Sequence, residues 1–239
     1  MKILITGICG FAGSSIAKAL LHNQTDLSIL GLDNFSRRGS ELNISEFTKF
    51  GIDLIRGDIR SQSDIDALTK VDWVIDCAAN PSVLAGIDGQ TSSRQLIEHN
   101  LLGTINLLEY CKRQKAGLIL LSTSRVYSAS ELASLPVKSS DRCFELINCA
   151  ISGISSSGIS EDFPTTTPLS LYGASKLASE TLILEYGKCF DFPVWINRCG
   201  VLTGAGDLLA ESLVYNRRRR CTACSACAAA SARSSRRAT

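Results

Sequence analysis

The chain has 239 residues, 45% of them hydrophobic, and a formal charge of +2. That is enough apolar material for one large packed domain, and no apolar run reaches the ~20 residues a bilayer-spanning helix needs. The positive sign is local. Residues 217–239 hold seven Arg and no acidic residue, while the remainder stands at −5, seven below the whole, so nothing in that remainder points to nucleic-acid binding.

Residues 2–6 form a short apolar run, K-I-L-I-T, followed at once by Gly7, Gly10 and Gly13. The chain opens directly on this strand pattern rather than on a secretory signal, so the expected location is cytoplasmic. Glycines after a strand and before a helix let the backbone turn sharply and approach a pyrophosphate at the positive end of the helix dipole. Alone, such a triplet reads equally as a tight strand–helix turn. The helix pattern covers 11–22. A second strand, 28–32, leads into Asp33, twenty residues past Gly13. A carboxylate there accepts hydrogen bonds from a ribose diol and repels a 2′-phosphate, which favours NAD over NADP. Arg37 and Arg38 lie just beyond it and could accommodate a phosphate.

The third strand, 52–56, runs into R-G-D-I-R. Asp58 could accept from an adenine amino group with Ile59 on the ring face, or the two could simply make a strand-end turn. A helix is expected over 62–69, a strand over 72–77, and a long helix over 91–114. The strand 117–122 delivers Ser122, Thr123 and Ser124 at its carboxyl end, where ligands bind in open α/β sheets. Residues 128–168 are Ser-rich, with Pro136, Pro164 and Pro168, and read as a long loop or insertion. A helix over 171–188 and a strand over 193–197 follow.

The helix 171–188 begins Y-G-A-S-K after Leu171. Residues i and i+4 share a helix face, so Tyr172 and Lys176 project together. An ammonium beside a phenol stabilises the phenolate and lowers a pKa that is ordinarily about 10. A hydroxyl from 122–124 would stand where a substrate alcohol loses its proton. The bland alternative is a chance Tyr–Lys pair on a surface helix. Strands alternating with helices imply an α/β fold, a doubly wound, Rossmann-type parallel sheet covered on both faces.

Seven of the ten cysteines are scattered, several inside apolar patterns, as in a reducing compartment. The other three, Cys221, Cys224 and Cys227, are spaced like zinc ligands but lack a fourth. Their segment uses only Arg, Ala, Ser, Cys and Thr from residue 217 onward. It is expected to be disordered. Its abrupt composition reads as a frame slip or truncated gene, ahead of metal binding or an Arg217–Arg220 nucleic-acid signal.

Taken together, G-I-C-G-F-A-G, L-D-N-F-S-R-R-G, G-D-I-R, D-C-A-A-N-P-S, H-N-L-L-G-T, S-T-S-R-V-Y, Y-G-A-S-K and I-N-R-C-G-V-L-T-G resemble the extended short-chain dehydrogenase/reductases. The branch they resemble is the NAD-dependent sugar-nucleotide epimerases and dehydratases. The likeness covers about residues 1–204, which are taken as the NAD-binding domain. Residues 205–239 then form a remnant plus the tail, and the C-terminal substrate lobe of the family is expected to be largely missing.

The resemblance implies roles by position. Gly7, Gly10, Phe11, Ala12 and Gly13 would cradle the pyrophosphate. Asp33, Asn34 and Ser36 would hold the adenosine ribose, and Asp58 with Ile59 the adenine. Ala78 and Ala79 would lie along the cofactor, with Asn100 on the adjacent helix. Thr123, four residues before Tyr127, would be the catalytic hydroxyl and Tyr172 the base. Lys176 would bind the nicotinamide ribose and activate Tyr172. The activity implied is epimerisation of a nucleotide-linked sugar through a transient ketone, with NAD as cofactor, no metal, and possible pairing of two copies through 91–114 and 171–188. A dehydratase or reductase of the same fold is the neighbouring reading, against which stand Ser124 and Arg125 in place of acidic residues. A catalytically silent NAD-binding fragment is the other.

Overall fold

A computed structural model describes residues 1–203 except 88, 90, 91, 140–143, 148–150, 156 and 157. The tail with its seven Arg and the cysteines at 221, 224 and 227 lies outside the described residues, as do Cys143 and Cys149.

Along the chain the first elements are β1 (Lys2–Thr6), α1 (Phe11–Asn23), β2 (Ser28–Asp33), α2 (Ile44–Lys49), β3 (Asp53–Arg56), α3 (Gln62–Asp66) and β4 (Trp73–Asp76). A long helix follows in three parts: α4 (Ser93–Ile97), a π-helical turn (Glu98–Leu102) and α5 (Gly103–Gln114). It starts with a capping box, in which the Ser92 hydroxyl accepts from Gln95 N and the Gln95 side chain accepts from Ser92 N. Next come β5 (Gly117–Thr123), α6 (Ala129–Ala133), the short strands β6 (Val137–Ser139), β7 (Phe144–Leu146), β8 (Ile154–Ser155) and β9 (Gly158–Ile159), then α7 (Leu171–Phe190) and β10 (Val194–Cys199).

The main sheet has six strands in the order β10-β5-β4-β1-β2-β3, and it is parallel and Rossmann-like. In register, Leu4 lies opposite Leu30, Ile5 opposite Ile75, and Ile75 opposite Ile119. All six strands predicted from sequence are present. Their alternation explains why both faces are apolar. Ile3, Ile5, Ile29 and Ile75 pack with Phe47 and Ala17 on one face. Leu4, Leu30, Val74, Leu118 and Leu120 pack with Leu107, Leu108, Cys111 and Ile183 on the other. Each fully buried side chain of this size contributes roughly 1.5–3 kcal/mol.

The strand order reverses between β1 and β4, and the loops leaving their carboxyl ends open there, which positions the site. Two helices differ from expectation. The helix predicted over 62–69 ends at Asp66; beyond it the Thr69 carbonyl accepts from the Tyr110 hydroxyl at 2.6 Å and its side chain from Lys2 Nζ at 2.9 Å. Helix α2 is additional; its one buried residue, Phe47, gives too little periodicity to read from sequence.

This sheet with its helices forms one compact unit, Met1–Thr123 with Ser170–Arg198; the described residues of 124–169 and 199–203 belong to another. The described part of the second unit contains α6 and two antiparallel ladders, β6 with β7 and β8 with β9, where the sequence suggested a long loop. Tyr127 and Phe163 meet edge-to-face at 5.7 Å inside it. No described helix is long and apolar enough to cross a membrane.

Cys9 and Cys111 are buried and behave as small apolar residues, while Cys189 is exposed. Burial pushes the Cys111 thiol up to about 12, with the Asp76 charge adding to it. Because the thiolate is the reacting species, alkylation at pH 8 followed by peptide mapping should label Cys189 and spare Cys111 until denaturant is added. Equal labelling of both in the folded protein would contradict this packing.

Candidate active site

The glycine turn is built by close backbone approach. Gly7 has φ +60°, and a Cβ there would sit 2.9 Å from the Ala78 Cα. A Cβ on Gly13 would meet the Gly7 carbonyl oxygen and lie 2.7 Å from the Ile8 Cα. Gly7 N donates to the Leu32 carbonyl at 2.8 Å, tying the turn to β2. Gly10 is the N-cap of α1 and provides no side-chain cap; no acidic residue occupies the first turn, where Phe11 and Ala12 sit. The leading amides of α1 are therefore left to an anionic partner, and the residues present fit a dinucleotide pyrophosphate.

Asp33 ends β2 beside this turn and is 8% exposed. Its Oδ2 accepts from Cys9 N and its Oδ1 from Phe35 N, each at 2.8 Å. A carboxylate has about four acceptor positions, so two remain, enough for a ribose diol. The same carboxylate, after burial, holds the Cys9 thiol up at about 12. Asn34 Oδ1 accepts from Ser36 N at 2.9 Å, and Asn34 Nδ2 donates to Asp58 Oδ2 at 2.9 Å. The expected ribose group is thus one connected strand end.

Asp58, two residues past the end of β3, is held by its neighbours. Arg60 N and Nε donate to its Oδ1, and Asn34 Nδ2 and Arg60 Nη2 to its Oδ2, with the last at 2.7 Å. Four donors meet the carboxylate, and the one from Asn34 ties the end of β2 to the end of β3. The Arg60 side chain is the main cause that holds the Asp58 carboxyl well below the usual carboxylate range, against burial, which opposes it. Ile59 packs under Gly103 and its carbonyl accepts from Asn106 at 2.8 Å.

Asn100 lies, as expected, on the helix adjacent to the loop that carries Ala78 and Ala79. It is 1% exposed and lies in the π-helical turn. Its Oδ1 accepts from Asn80 N at 2.9 Å, and its Nδ2 donates to the Asn80 carbonyl and to Ser175 Oγ at 3.3 and 3.2 Å. Both amide hydrogens are engaged, so Asn100 fixes the loop that carries Ala78 and Ala79 and ties it to α7.

Helix α7 starts where the Ser170 hydroxyl accepts from Gly173 N at 3.0 Å. Its buried stripe, Tyr172, Ser175, Lys176, Ser179, Glu180 and Ile183, has helical spacing but is mostly polar. Tyr172 is 9% exposed beside Ala85 and Leu96, and Lys176 is 1% exposed. Lys176 acts electrostatically on Asp76 at the end of β4, a residue whose carboxyl is pushed up by burial and pulled down by that ammonium. Asp76 Oδ1 accepts from Thr6 Oγ1 at 2.7 Å and from Ala78 N at 3.2 Å. The lysine charge is therefore felt at the strand ends that make the glycine turn. Thr123 closes β5 at 8% exposure. Asp76, Ser175 and Glu180 were not anticipated; the signal for Ser175 and Glu180 was a polar stripe within a helical pattern, and Asp76 is the polar end of the apolar strand β4.

The family model described as the NAD dependent epimerase/dehydratase family matches residues 3–226. CDP-paratose 2-epimerase of Salmonella typhi is 30% identical over 196 residues, covering 80% of this chain and 54% of that protein. dTDP-D-glucose 4,6-dehydratase of Dictyostelium discoideum is 30% identical over 208 residues, covering 85% and 44%. The crystal structure of UDP-glucuronic acid 4-epimerase from Bacillus cereus, in complex with UDP-glucuronic acid and NAD, superposes with a TM-score of 0.62 at 31% identity, covering 83% of this chain and 56% of that one. The chain spans about half the length of these curated relatives.

Two outcomes test the geometry. Gly13→Ala should lose NAD binding measured by calorimetry and lower the melting midpoint, because backbone on both sides blocks the new methyl group. Arg60→Ala should destabilise the protein by less than about 1 kcal/mol at pH 7. A depressed carboxyl adds stability above its unfolded pKa and loses it as pH falls through the folded value. The difference between wild type and Arg60→Ala should therefore be full at pH 6 and shrink below about pH 4; urea melts at several pH values read it.

Proposed function

Because the chain belongs to the NAD dependent epimerase/dehydratase family, we propose that it epimerises a nucleotide-linked sugar by transient oxidation. The observation that carries this reading is the burial of Lys176 on the same face of α7 as Tyr172, with its charge acting at the carboxyl end of β4 beside the glycine turn. NAD, when bound, supplies a hydride acceptor that later gives the hydride back. Gly7, Gly10, Phe11, Ala12 and Gly13 hold its pyrophosphate, and Asp33, with Asn34 and Ser36 behind it, takes the adenosine ribose.

The protein's own groups move the proton. Tyr172, as phenolate, accepts the proton of a sugar hydroxyl while the carbon beneath loses hydride. Lys176 stabilises that phenolate and reaches the nicotinamide ribose, and Thr123 hydrogen-bonds the same sugar oxygen. On the ketone's other face Tyr172 would restore the proton as the bound NAD gave its hydride back, so that the configuration at one carbon would be inverted and nothing consumed. Ser124 and Arg125 follow Thr123 where a dehydratase would carry acids, which supports epimerase chemistry.

The stretch D-N-F-S-R-R-G-S-E-L-N supports a substrate like that of CDP-paratose 2-epimerase. Exposed Ile97, Leu102 and Leu184 support pairing of two copies through the long helices. The buried free thiols of Cys9 and Cys111 suit a reducing compartment such as the cytoplasm. The second reading is an NAD-binding unit without turnover.

The test is to incubate the chain with NAD and a panel of CDP-, UDP- and dTDP-linked sugars and follow the anomeric proton by NMR. One sugar should convert to its epimer. Tyr172→Phe should lower kcat by roughly 10²–10⁴-fold and leave NAD affinity within about two-fold. NAD binding without conversion of any sugar would select the second reading.

A further inference from the structure

A buried acid lies one turn beyond Lys176, outside the proton-transfer steps. Glu180 is 3% exposed. Ser122 Oγ donates to its Oε1, and Arg198 donates to Oε2 through Nε at 3.0 Å and Nη2 at 2.8 Å. Ser122 is the residue before Thr123 on β5, and Arg198 belongs to β10, the neighbouring strand. Side chains alternate along a strand. Leu118, Leu120 and Ser122 face the layer that contains α7, as the packing of Leu118 and Leu120 with Ile183 shows.

Helix α7 needs such an anchor. Apolar packing is non-directional, and among the residues of its buried stripe Ile183 is the sole aliphatic one. Rotation about the helix axis must then be set by directed bonds. On one side Ser179 Oγ donates to the Asn100 carbonyl at 3.0 Å and Asn100 donates to Ser175. On the sheet side Glu180 supplies directed bonds to β5 and β10. Tyr172, Lys176 and Glu180 are spaced i, i+4 and i+8, so they share one face. A turn of the helix that loosens Glu180 swings the phenol and the ammonium by the same angle.

We propose that Glu180, clamped by Ser122 and Arg198, is a positioning residue that fixes the rotation of α7 and so the placement of Tyr172 and Lys176 against Thr123. The proposal rests on the reading of Tyr172 as the base. The Glu180 charge is balanced by Arg198, so the clamp orients α7 without adding net charge beside Lys176.

The test uses the full chain loaded with NAD. Tyrosine ionisation is followed by absorbance near 295 nm, and subtraction of the Tyr172→Phe titration isolates the phenol of Tyr172. In wild type it should ionise well below the ordinary value of about 10. In Glu180→Gln its midpoint should rise by about one pH unit, with kcat reduced roughly 10- to 100-fold and KM within about two-fold. A Glu180→Gln protein that melts at lower temperature but keeps the wild-type Tyr172 midpoint and kcat would overturn the proposal and leave Glu180 as a stabilising ion pair. Should Glu180→Gln not fold, Ser122→Ala decides, since it removes one hydroxyl and leaves the ion pair. A rise of about half a unit with a wild-type melting midpoint supports the clamp, and an unchanged Tyr172 midpoint overturns it. If Tyr172 already ionises near 10 in wild type, it is the reading of Tyr172 as the base that fails.

Discussion

The constraint on which the site depends is the burial of a positive charge. Lys176 has 1% of its surface exposed, and an ammonium removed from water costs several kcal/mol unless other groups compensate it. Asp76 is the acid on which it acts, at the end of a neighbouring strand. That carboxylate is in turn fixed by Thr6 and Ala78, and Ala78 lies against Gly7. One electrostatic link therefore runs from the helix bearing the candidate base to the turn that receives a dinucleotide. A cofactor on the turn and a substrate under Tyr172 would share the same field.

The site is assembled from polar contacts inside an apolar frame. The sheet is secured by aliphatic residues on both faces, which need no directional bonds. The buried side of α7 instead presents hydroxyls, an amine and a carboxylate, and among the described residues every buried side-chain nitrogen and oxygen has a hydrogen-bond partner. A fully satisfied polar network is stiff and specific to one arrangement. The frame thus supplies stability and the network supplies geometry, with Asn100 and Glu180 at its two sides.

What could be read from the chain follows from how each residue is constrained. Gly7 and Gly13 were legible because backbone closeness admits no side chain, and this requirement is local in sequence. The four inner strands were legible because central parallel strands are apolar on both faces, and the edge strands β3 and β10 by their short apolar runs. The relation of Tyr172 to Lys176 was legible because helix geometry alone brings them together. Asp58 was read as an adenine contact or a strand-end turn; its bonds to Arg60 are local, while the bond from Asn34 shows itself only once β2 and β3 pair. Glu180, Arg198 and Ser122 are far apart in the chain and meet only through the β5–β10 neighbourhood, which no periodicity encodes. The ladders β6–β7 and β8–β9 are too short to leave an alternation pattern.

The central claim is that Lys176 stays charged while buried, since only the ammonium can lower the cost of a phenolate at Tyr172. Carbon-13 NMR of lysine-labelled protein measures this directly, with Lys176→Met identifying the resonance. The account predicts a chemical shift that reports the protonated amine at pH 7, and a loss of that charge toward lower pH in Asp76→Asn. A neutral amine at residue 176 in the wild-type protein at pH 7 would contradict it.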